Sequence, residues 1–178
     1  KGLKLYGQVA IDEFTFSEIR DWSNGPWQNM LAWQLGAKWG DAFGIENLFL
    51  RGEYNSARPH TYSHRDIITN WGHYNQPLAH PLGANFRELL LHAQYRYERF
   101  SGLVAIHADE QLFVGSGVES ELTYWRAEVS YLLNPNYNLR LTLGAQSRSE
   151  SQADLGLPSA QNIYFGLQTN MYNLYQDF

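Results

Sequence analysis

The sequence predicts an all-β fold, an antiparallel transmembrane β-barrel with eight strands in this chain. Apolar and polar residues alternate along one segment after another, which is the period of a β-strand, and no segment has a helical period. The connections between the segments alternate long and short, as the extracellular loops and periplasmic turns of outer-membrane barrels do. Aromatic residues make up 15% of the chain and gather towards the predicted strand ends, where a lipid-facing band has its interfacial girdles.

The first three predicted strands cover residues 3–12, 29–39 and 46–55. Each places Leu, Val, Ile, Trp or Tyr on one side and mainly polar or charged residues on the other, as a strand with one apolar face does. A polar connection, 13–27, separates the first two strands, whereas the short turn 40–44 follows the second. This spacing predicts a first hairpin with a long loop and a second hairpin with a tight turn.

Five further segments alternate in the same way, at 87–98, 103–109, 122–133, 138–146 and 162–178. Longer connections, 110–120 and 147–161, precede the third and fifth of these segments, and short turns precede the second and fourth. In the last segment the apolar residues change parity, so we expect a β-bulge near residue 172. The chain as a whole, residues 1–178, is therefore predicted to form a single barrel segment.

The long loop, residues 56–85, has neither helical nor strand periodicity, which is unusual in a compact domain unless the segment is functional. Its aromatic, amide and imidazole side chains suit sugars, whose apolar faces stack on rings while hydroxyls bind polar groups. The predicted ligand-binding residues are His60, Tyr62, His64, Trp71, His73, Tyr74, Asn75, Gln76 and His80. An ordered loop that only packs into the lumen is an equally open alternative. Asn85 and Arg87 close the loop and are predicted to anchor it.

The histidines of the long loop raise the question of a metal site. Their spacing matches no zinc signature, and Pro59 argues against the helix that would align His60 with His64. Hydrogen bonds to a ligand or within the loop are favoured over metal coordination. We expect neither a metal nor any other cofactor.

Charged residues of both signs occupy the polar sides of the predicted strands. Their matched supply predicts ion pairs across a barrel lumen, formed by Arg51, Glu53, Arg96, Glu98, Asp109, Arg126, Glu128 and Arg140. His92, His107 and Asp109 on the same faces raise the possibility of a hydrolase, but no serine has the setting of a nucleophile. The sequence therefore favours a protein that is not an enzyme.

Composition narrows the remaining classes. The chain has no cysteine, and its formal charge of −5 comes without any basic run, so we expect no nucleic-acid partner. No apolar run is long enough for a membrane helix, whereas a transmembrane strand needs only about 9–11 residues. A soluble antiparallel sheet with one core face and one wet face would show the same alternation and remains an alternative.

Two runs of the sequence resemble a known family. The long loop resembles the capsule-assembly (Wzi-type) outer-membrane β-barrel family, in the form found in gliding and other Bacteroidota. The resemblance lies in YSHRD at 62–66 and NWGHYNQPLAHPLGANFRE at 70–88. The preceding segment is similar to the same family, in the run LGAKWGDAFGIENLFLRGEYN at 35–55. The resemblance implies the bacterial outer membrane as the location. It also implies that the chain is the carboxy-terminal part of a larger barrel.

The resemblance further implies a function and partners. Members of this family are associated with the assembly or attachment of surface polysaccharide, which is capsule or exopolysaccharide. Relatives in gliding bacteria imply an alternative, a structural or interaction subunit of an outer-membrane gliding or secretion machine. The expected partners are outer-membrane lipid, surface polysaccharide and other outer-membrane proteins.

Overall fold

The structure, a computed structural model, describes residues 2–13, 30–62, 72–73, 76–112, 119–152 and 159–169. Their strands are β1 Gly2–Glu13, β2 Met30–Gly40, β3 Leu48–Ala57, β4 Gly72–His73, β5 Gln76–Pro77, β6 Phe86–Tyr97, β7 Phe100–Leu112, β8 Glu119–Asn134, β9 Leu139–Gln152 and β10 Ala160–Gln168. A single 3-10 turn, Ala42–Gly44, is the only helical element among them. No helix in these ranges is long and apolar enough to cross a membrane.

Eight of the strands form one antiparallel sheet in the order β1-β2-β3-β6-β7-β8-β9-β10. Each strand pairs with its neighbour along the chain, and the two-residue strands β4 and β5 form a separate small hairpin. The predicted all-β, antiparallel arrangement of eight strands is confirmed. The sheet is open within the described part of the chain, because β1 and β10 each pair with one neighbour and form its two edges.

Antiparallel pairing sorts the strand ends into two groups. Glu13, Ala57, Leu112 and Gln152 end their strands at one side of the sheet, which we call the loop end. The tight connections that follow β2, β6 and β8 lie at the opposite side, the turn end. The predicted alternation of connections therefore places the long loop at the loop end.

Several strands extend beyond their predicted bounds. β7 continues to Leu112, β8 begins at Glu119 and β9 continues to Gln152, over residues predicted as connections. Pairs such as Glu121 with Ser151 continue the ladder although both residues are polar. Because backbone hydrogen bonds do not require apolar side chains, the loss of alternation was a poor sign of the strand ends. The bulge predicted near residue 172 lies outside the described residues.

Burial in this sheet is inverted relative to a sheet that packs on an apolar core. Leu5 is 73% exposed and Ile163 is 83% exposed, whereas Glu53 and Glu88 are 5% and 4% exposed. The exposed face carries Leu3, Leu5, Val9, Ile11, Leu35, Leu91, Val104, Ile106, Val129, Leu143, Ile163, Phe165 and Leu167. The opposite face, which we call the polar face, buries carboxylate, amide and hydroxyl groups. A soluble sheet shows the reverse, with its apolar face covered.

One apolar cluster is buried among the described residues, at the loop end. Ala32, Ala57 and Phe86 form it on three neighbouring strands, and Tyr62 and Leu82 of the long loop pack against it. The loop therefore folds onto the polar face of the sheet rather than onto the exposed apolar face.

A clip of four residues joins the first three strands on the polar face. Tyr6 pairs with Gly36, and Gly36 pairs with Glu53 on the next strand. The Tyr6 ring lies across Gly36, where any Cβ would overlap it, and its hydroxyl donates to Glu53 Oε2. Arg51 Nη2 donates to the same carboxylate at 2.7 Å. We call Tyr6, Gly36, Arg51 and Glu53 the β1 clip.

The same arrangement recurs at the other edge of the sheet. Tyr164 of β10 lies across Gly144 of β9, and its hydroxyl donates to Glu128 Oε1 of β8 at 2.5 Å. Arg126 Nη2 donates to that oxygen at 2.5 Å, and Arg126 Nε donates to the Tyr164 hydroxyl at 3.0 Å. We call Tyr164, Gly144, Arg126 and Glu128 the β10 clip. Each clip ties an edge strand to the second strand inward, across a glycine.

Alanine at the clip glycines should destabilise the sheet. A methyl group at Gly36 or Gly144 forces the tyrosine ring aside and breaks its bond to the glutamate, at a cost of about 1–3 kcal/mol. Gly166 of β10 is the matched control, because a Cβ there meets no atom within 4 Å. Urea unfolding of the purified full-length protein measures the effect. Equal urea midpoints of unfolding for G36A, G144A and G166A would show that the two clips do not stabilise the sheet.

Candidate functional site under the long loop

The backbone at the two ends of the long loop is tied to the sheet at Arg58. Its amide donates to the Leu31 carbonyl of β2 at 2.9 Å, and its carbonyl accepts the Asn85 amide at 3.2 Å. Thr61 Oγ1 also donates to the Arg58 carbonyl, at 2.8 Å. The chain thus enters and leaves the long loop at one point. Asn85, predicted as an anchor, acts here through its backbone, which has a left-handed φ of 57°.

Tyr62 attaches the entering chain to the first strand. Its amide donates to Asp12 Oδ2 of β1 at 3.0 Å. Burial, and then the nearby Asp12 carboxylate, raises the pKa of the Tyr62 hydroxyl. The hydroxyl therefore stays protonated and can both donate and accept a hydrogen bond.

His80 attaches the leaving chain to β6. Its ring stacks on Phe86 with centroids 4.3 Å apart, and its Nδ1 accepts the Leu82 amide at 3.3 Å. Because Nδ1 is an acceptor, the ring proton sits on Nε2, which lies 3.2 Å from Glu88 Oε2. This pair links the long loop to a buried carboxylate of the sheet.

Glu88 is the centre of a hydrogen-bond network along the polar face. His107 Nε2 of β7 lies 2.8 Å from Glu88 Oε1 and 3.7 Å from Asp109 Oδ1. On the other side, Asn55 Nδ2 donates to Glu88 Oε2 at 2.5 Å and to Glu53 Oε1 at 3.1 Å. Glu53 belongs to the β1 clip, so the network runs from β1 to β7. Buried carboxylates are stable only with such partners.

A cavity of about 320 Å³ lies between the loop and strands β1 to β3, at the loop end. Its described polar and aromatic lining consists of Gln8, Trp33, Gln34, Asn55, Ser56, Tyr62, His80 and Phe86. Ligand pockets in proteins occupy about 300–1,000 Å³, so this one is large enough for a small group. Carboxamides beside aromatic rings are suited to a sugar, since rings stack on its apolar face while amides bind its hydroxyls.

The structure brings only part of the predicted ligand-binding set to this cavity. Tyr62 and His80 line it, whereas His60 and His73 are exposed. The backbone of Gln76 pairs with that of His73 in the small hairpin. His64, Trp71, Tyr74 and Asn75 lie outside the described residues.

The polar lining from the strands was not anticipated. Gln8, Gln34 and Asn55 lie on polar faces that the alternation predicts, but nothing in the sequence separates them from other polar positions. The strand register brings these three residues together, because Gln8 pairs with Gln34 and Gln34 pairs with Asn55. Their side-chain amides therefore form a row across β1, β2 and β3. A row of paired amides beneath an anchored loop could be found only once the pairing was known.

The predicted ion pairs are partly reorganised. Arg51 pairs with Glu53 and Arg126 with Glu128, whereas Arg96 and Glu98 are exposed and have no ion pair within the described ranges. Arg140 Nε donates to Asn138 Oδ1 at 2.8 Å, and Asp109 Oδ1 lies 3.7 Å from His107 Nε2. Ion pairing of Arg96, Glu98 and Arg140 therefore stays a prediction. Histidine takes the place of arginine at this end of the network.

Arg87 also differs from its predicted role. Its side chain is exposed and shares a face of β6 with Leu89 and Leu91, opposite the loop. Residue parity explains this, because the neighbouring Glu88 takes the polar face. The anchoring function belongs to Glu88 and Asn85 instead.

Comparison with known proteins adds no relative. No protein-family model matches the chain, and neither curated proteins nor solved structures give a significant match.

Among the described side chains, no group of three or more His, Asp or Glu is arranged to hold a metal ion. The function therefore has to be inferred from the sheet and the cavity.

Neutralising Glu88 should release the long loop. E88Q keeps the shape of the side chain but removes the charged acceptor of His80, His107 and Asn55, where hydrogen bonds to a charged group contribute about 1.5–3 kcal/mol. Backbone amides at 58–62 and 78–85 should then exchange with deuterium faster, as mass spectrometry of peptides can measure. E150Q, in an exposed pair with Arg148, is the control. Equal protection in E88Q and E150Q would contradict this anchoring.

Proposed function

We propose that the chain is a segment of an outer-membrane β-barrel that associates with surface polysaccharide, in capsule or exopolysaccharide assembly or attachment, without catalysing a reaction. The segment is the carboxy-terminal part of a larger barrel. Its partners are outer-membrane lipid, the polysaccharide and other outer-membrane proteins.

The exposed apolar face supports a place in a membrane. In water, a contiguous apolar surface of this extent is unfavourable, whereas lipid hydrocarbon is its natural neighbour. Strands β2, β3, β6 and β7 contain 11, 10, 12 and 13 residues, enough to cross a bilayer at a tilt.

The open edges support a barrel larger than this sheet. An unpaired edge in lipid leaves backbone N–H and C=O groups without hydrogen bonds, at several kcal/mol each, so membrane sheets close. β1 and β10 each have one unpaired side in the described sheet. Further strands beside both edges would satisfy them, as the resemblance to larger barrels implies.

The cavity beneath the long loop is the observation that carries the polysaccharide role. It lies at the loop end, where outer-membrane barrels face the outside. Its row of amides and its aromatic rings match the two surfaces of a sugar, hydroxyl edge and apolar face. An anchored loop keeps these groups in place, which lowers the entropy lost on binding.

Replacing aromatic and amide residues of the long loop should weaken polysaccharide binding. We expect full-length protein carrying W71A, Y74A and Q76A to bind surface polysaccharide from the producing cells at least about tenfold more weakly, a loss of roughly 1.4 kcal/mol. Y137A, at the turn end, is the control, because Tyr137 is 50% exposed and far along the sheet from the cavity. Immobilised polysaccharide and biolayer interferometry provide the measurement.

The same binding measurement, together with co-purification, separates the alternative. A parent protein that binds no polysaccharide but co-purifies with other outer-membrane proteins would instead be a subunit of a gliding or secretion machine. The exposed apolar residues of β1 and β10 are the surface available for such partners.

A further inference from the structure

Two of the three lysines in the chain lie directly opposite each other on the polar face. Lys4 of β1 pairs with Lys38 of β2, and Lys38 pairs in turn with Arg51 of β3. Residues that face each other on neighbouring antiparallel strands have Cβ atoms about 4.5–5.5 Å apart, and like charges in that arrangement are destabilising. The sheet therefore keeps this cationic row at a cost to its own stability.

The two lysine charges have no counter-ion in the described part of the chain. Lys4 and Lys38 form no ion pair with any residue that the structure describes. The buried carboxylate nearest to the row, that of Glu53, accepts hydrogen bonds from four side chains, those of Tyr6, Gln34, Arg51 and Asn55. In the turn after β2, Asp41 Oδ1 accepts the Asn47 amide at 2.8 Å. These two carboxylates are therefore already engaged by other donors.

The lysine pair is open to an approaching molecule. Both side chains are exposed, and Lys38 Nζ lies 5.0 Å from the centre of the Tyr6 ring, an attraction that draws the ammonium group towards β1. Beside the pair, towards the turn end, Gly2 pairs with Gly40. A Cβ at either glycine would meet no atom within 4 Å, so the polar face is open next to the lysines.

We infer that Lys4 and Lys38 form a binding site for a phosphate group, either free or esterified to a small sugar. A phosphate monoester carries about −1.5 to −2 charge at pH 7 and three acceptor oxygens, which matches two neighbouring ammonium groups. A carboxylate brings one negative charge and would leave the second ammonium uncompensated. The β1 clip separates this site from the cavity under the long loop, and binding here does not require the proposed polysaccharide association.

Protection of the lysines from acetylation tests the site. Purified full-length protein is treated with limiting acetic anhydride at about pH 8, where a phosphate monoester is a dianion. The probes are inorganic phosphate, glucose 6-phosphate and glucuronate, each compared with sodium chloride at the same ionic strength, and N-acetyl-lysine amide in the same tube reports the reagent that each probe consumes. Mass spectrometry of peptides measures the rate at each lysine.

We expect inorganic phosphate and glucose 6-phosphate to slow the acetylation of both Lys4 and Lys38 at least about threefold, and glucuronate to slow it less. A bound phosphate keeps the amine protonated and unreactive, and protection grows as one plus the ratio of probe concentration to Kd. The effect should exceed that of chloride, because screening by salt is the same in both solutions.

Two variants assign the site to the pair. K4Q and K38Q each remove one ammonium group at an exposed position and keep a polar side chain, so the fold should be retained. In each variant, phosphate should no longer slow acetylation of the remaining lysine. R99Q, which removes an exposed cation from the turn between β6 and β7, is the matched control and should keep the protection.

The outcomes separate this inference from the proposed function. Equal acetylation rates in phosphate and chloride would mean that another part of the full-length protein neutralises the pair, which overturns the site. Protection by glucuronate as strong as by phosphate, protection that survives K4Q and K38Q, or loss of protection in R99Q also overturns it. Polysaccharide binding is measured separately and should be unchanged in K4Q and K38Q, so failure of the site leaves the proposed function intact.

Discussion

The arrangement of this protein depends on one constraint: a sheet that buries carboxylates on its polar face has to supply those carboxylates with directed hydrogen bonds. An apolar core tolerates many packings, but a buried carboxylate such as Glu53 or Glu88 is stable only with its partners in place. This explains why the two clips place a tyrosine across a glycine. Only a glycine lets the ring reach over one strand and bond a glutamate on the next.

The same constraint positions the long loop. The apolar cluster at the loop end is small, so packing alone would hold the loop weakly. The loop instead contributes His80 to the network around Glu88. Its backbone amides also donate to the Asp12 carboxylate and to the Leu31 carbonyl. The network that stabilises the sheet therefore also shapes the cavity. Asn55 shows this most clearly, because it lines the cavity and also donates hydrogen bonds to both Glu53 and Glu88.

Much of the fold could be predicted from the sequence, because a period of two residues is a local property. It located eight strands and assigned faces correctly, as Leu5 and Ile163 on the exposed face and Glu53 on the polar face show. The site could not be predicted in the same way. That His80, Glu88 and His107 meet depends on strand register and on how the loop folds back, and neither is written in local alternation. Matched charges predicted arginine–glutamate pairs, yet histidines occupy the network beside the loop.

We propose that the exposed apolar face meets lipid, whereas the polar face does not. Since the chain has no cysteine, single cysteines with nitroxide labels can be placed one by one at 103–108 of β7 in full-length protein reconstituted into bilayers. Collision with oxygen, which concentrates in lipid, should be high at Val104, Ile106 and Ala108 and low at Leu103, Ala105 and His107. Residues of a transmembrane strand alternate in this way between lipid and lumen. Collision with a water-soluble nickel chelate at Val104 and Ile106 as frequent as at an exposed turn residue would contradict the account.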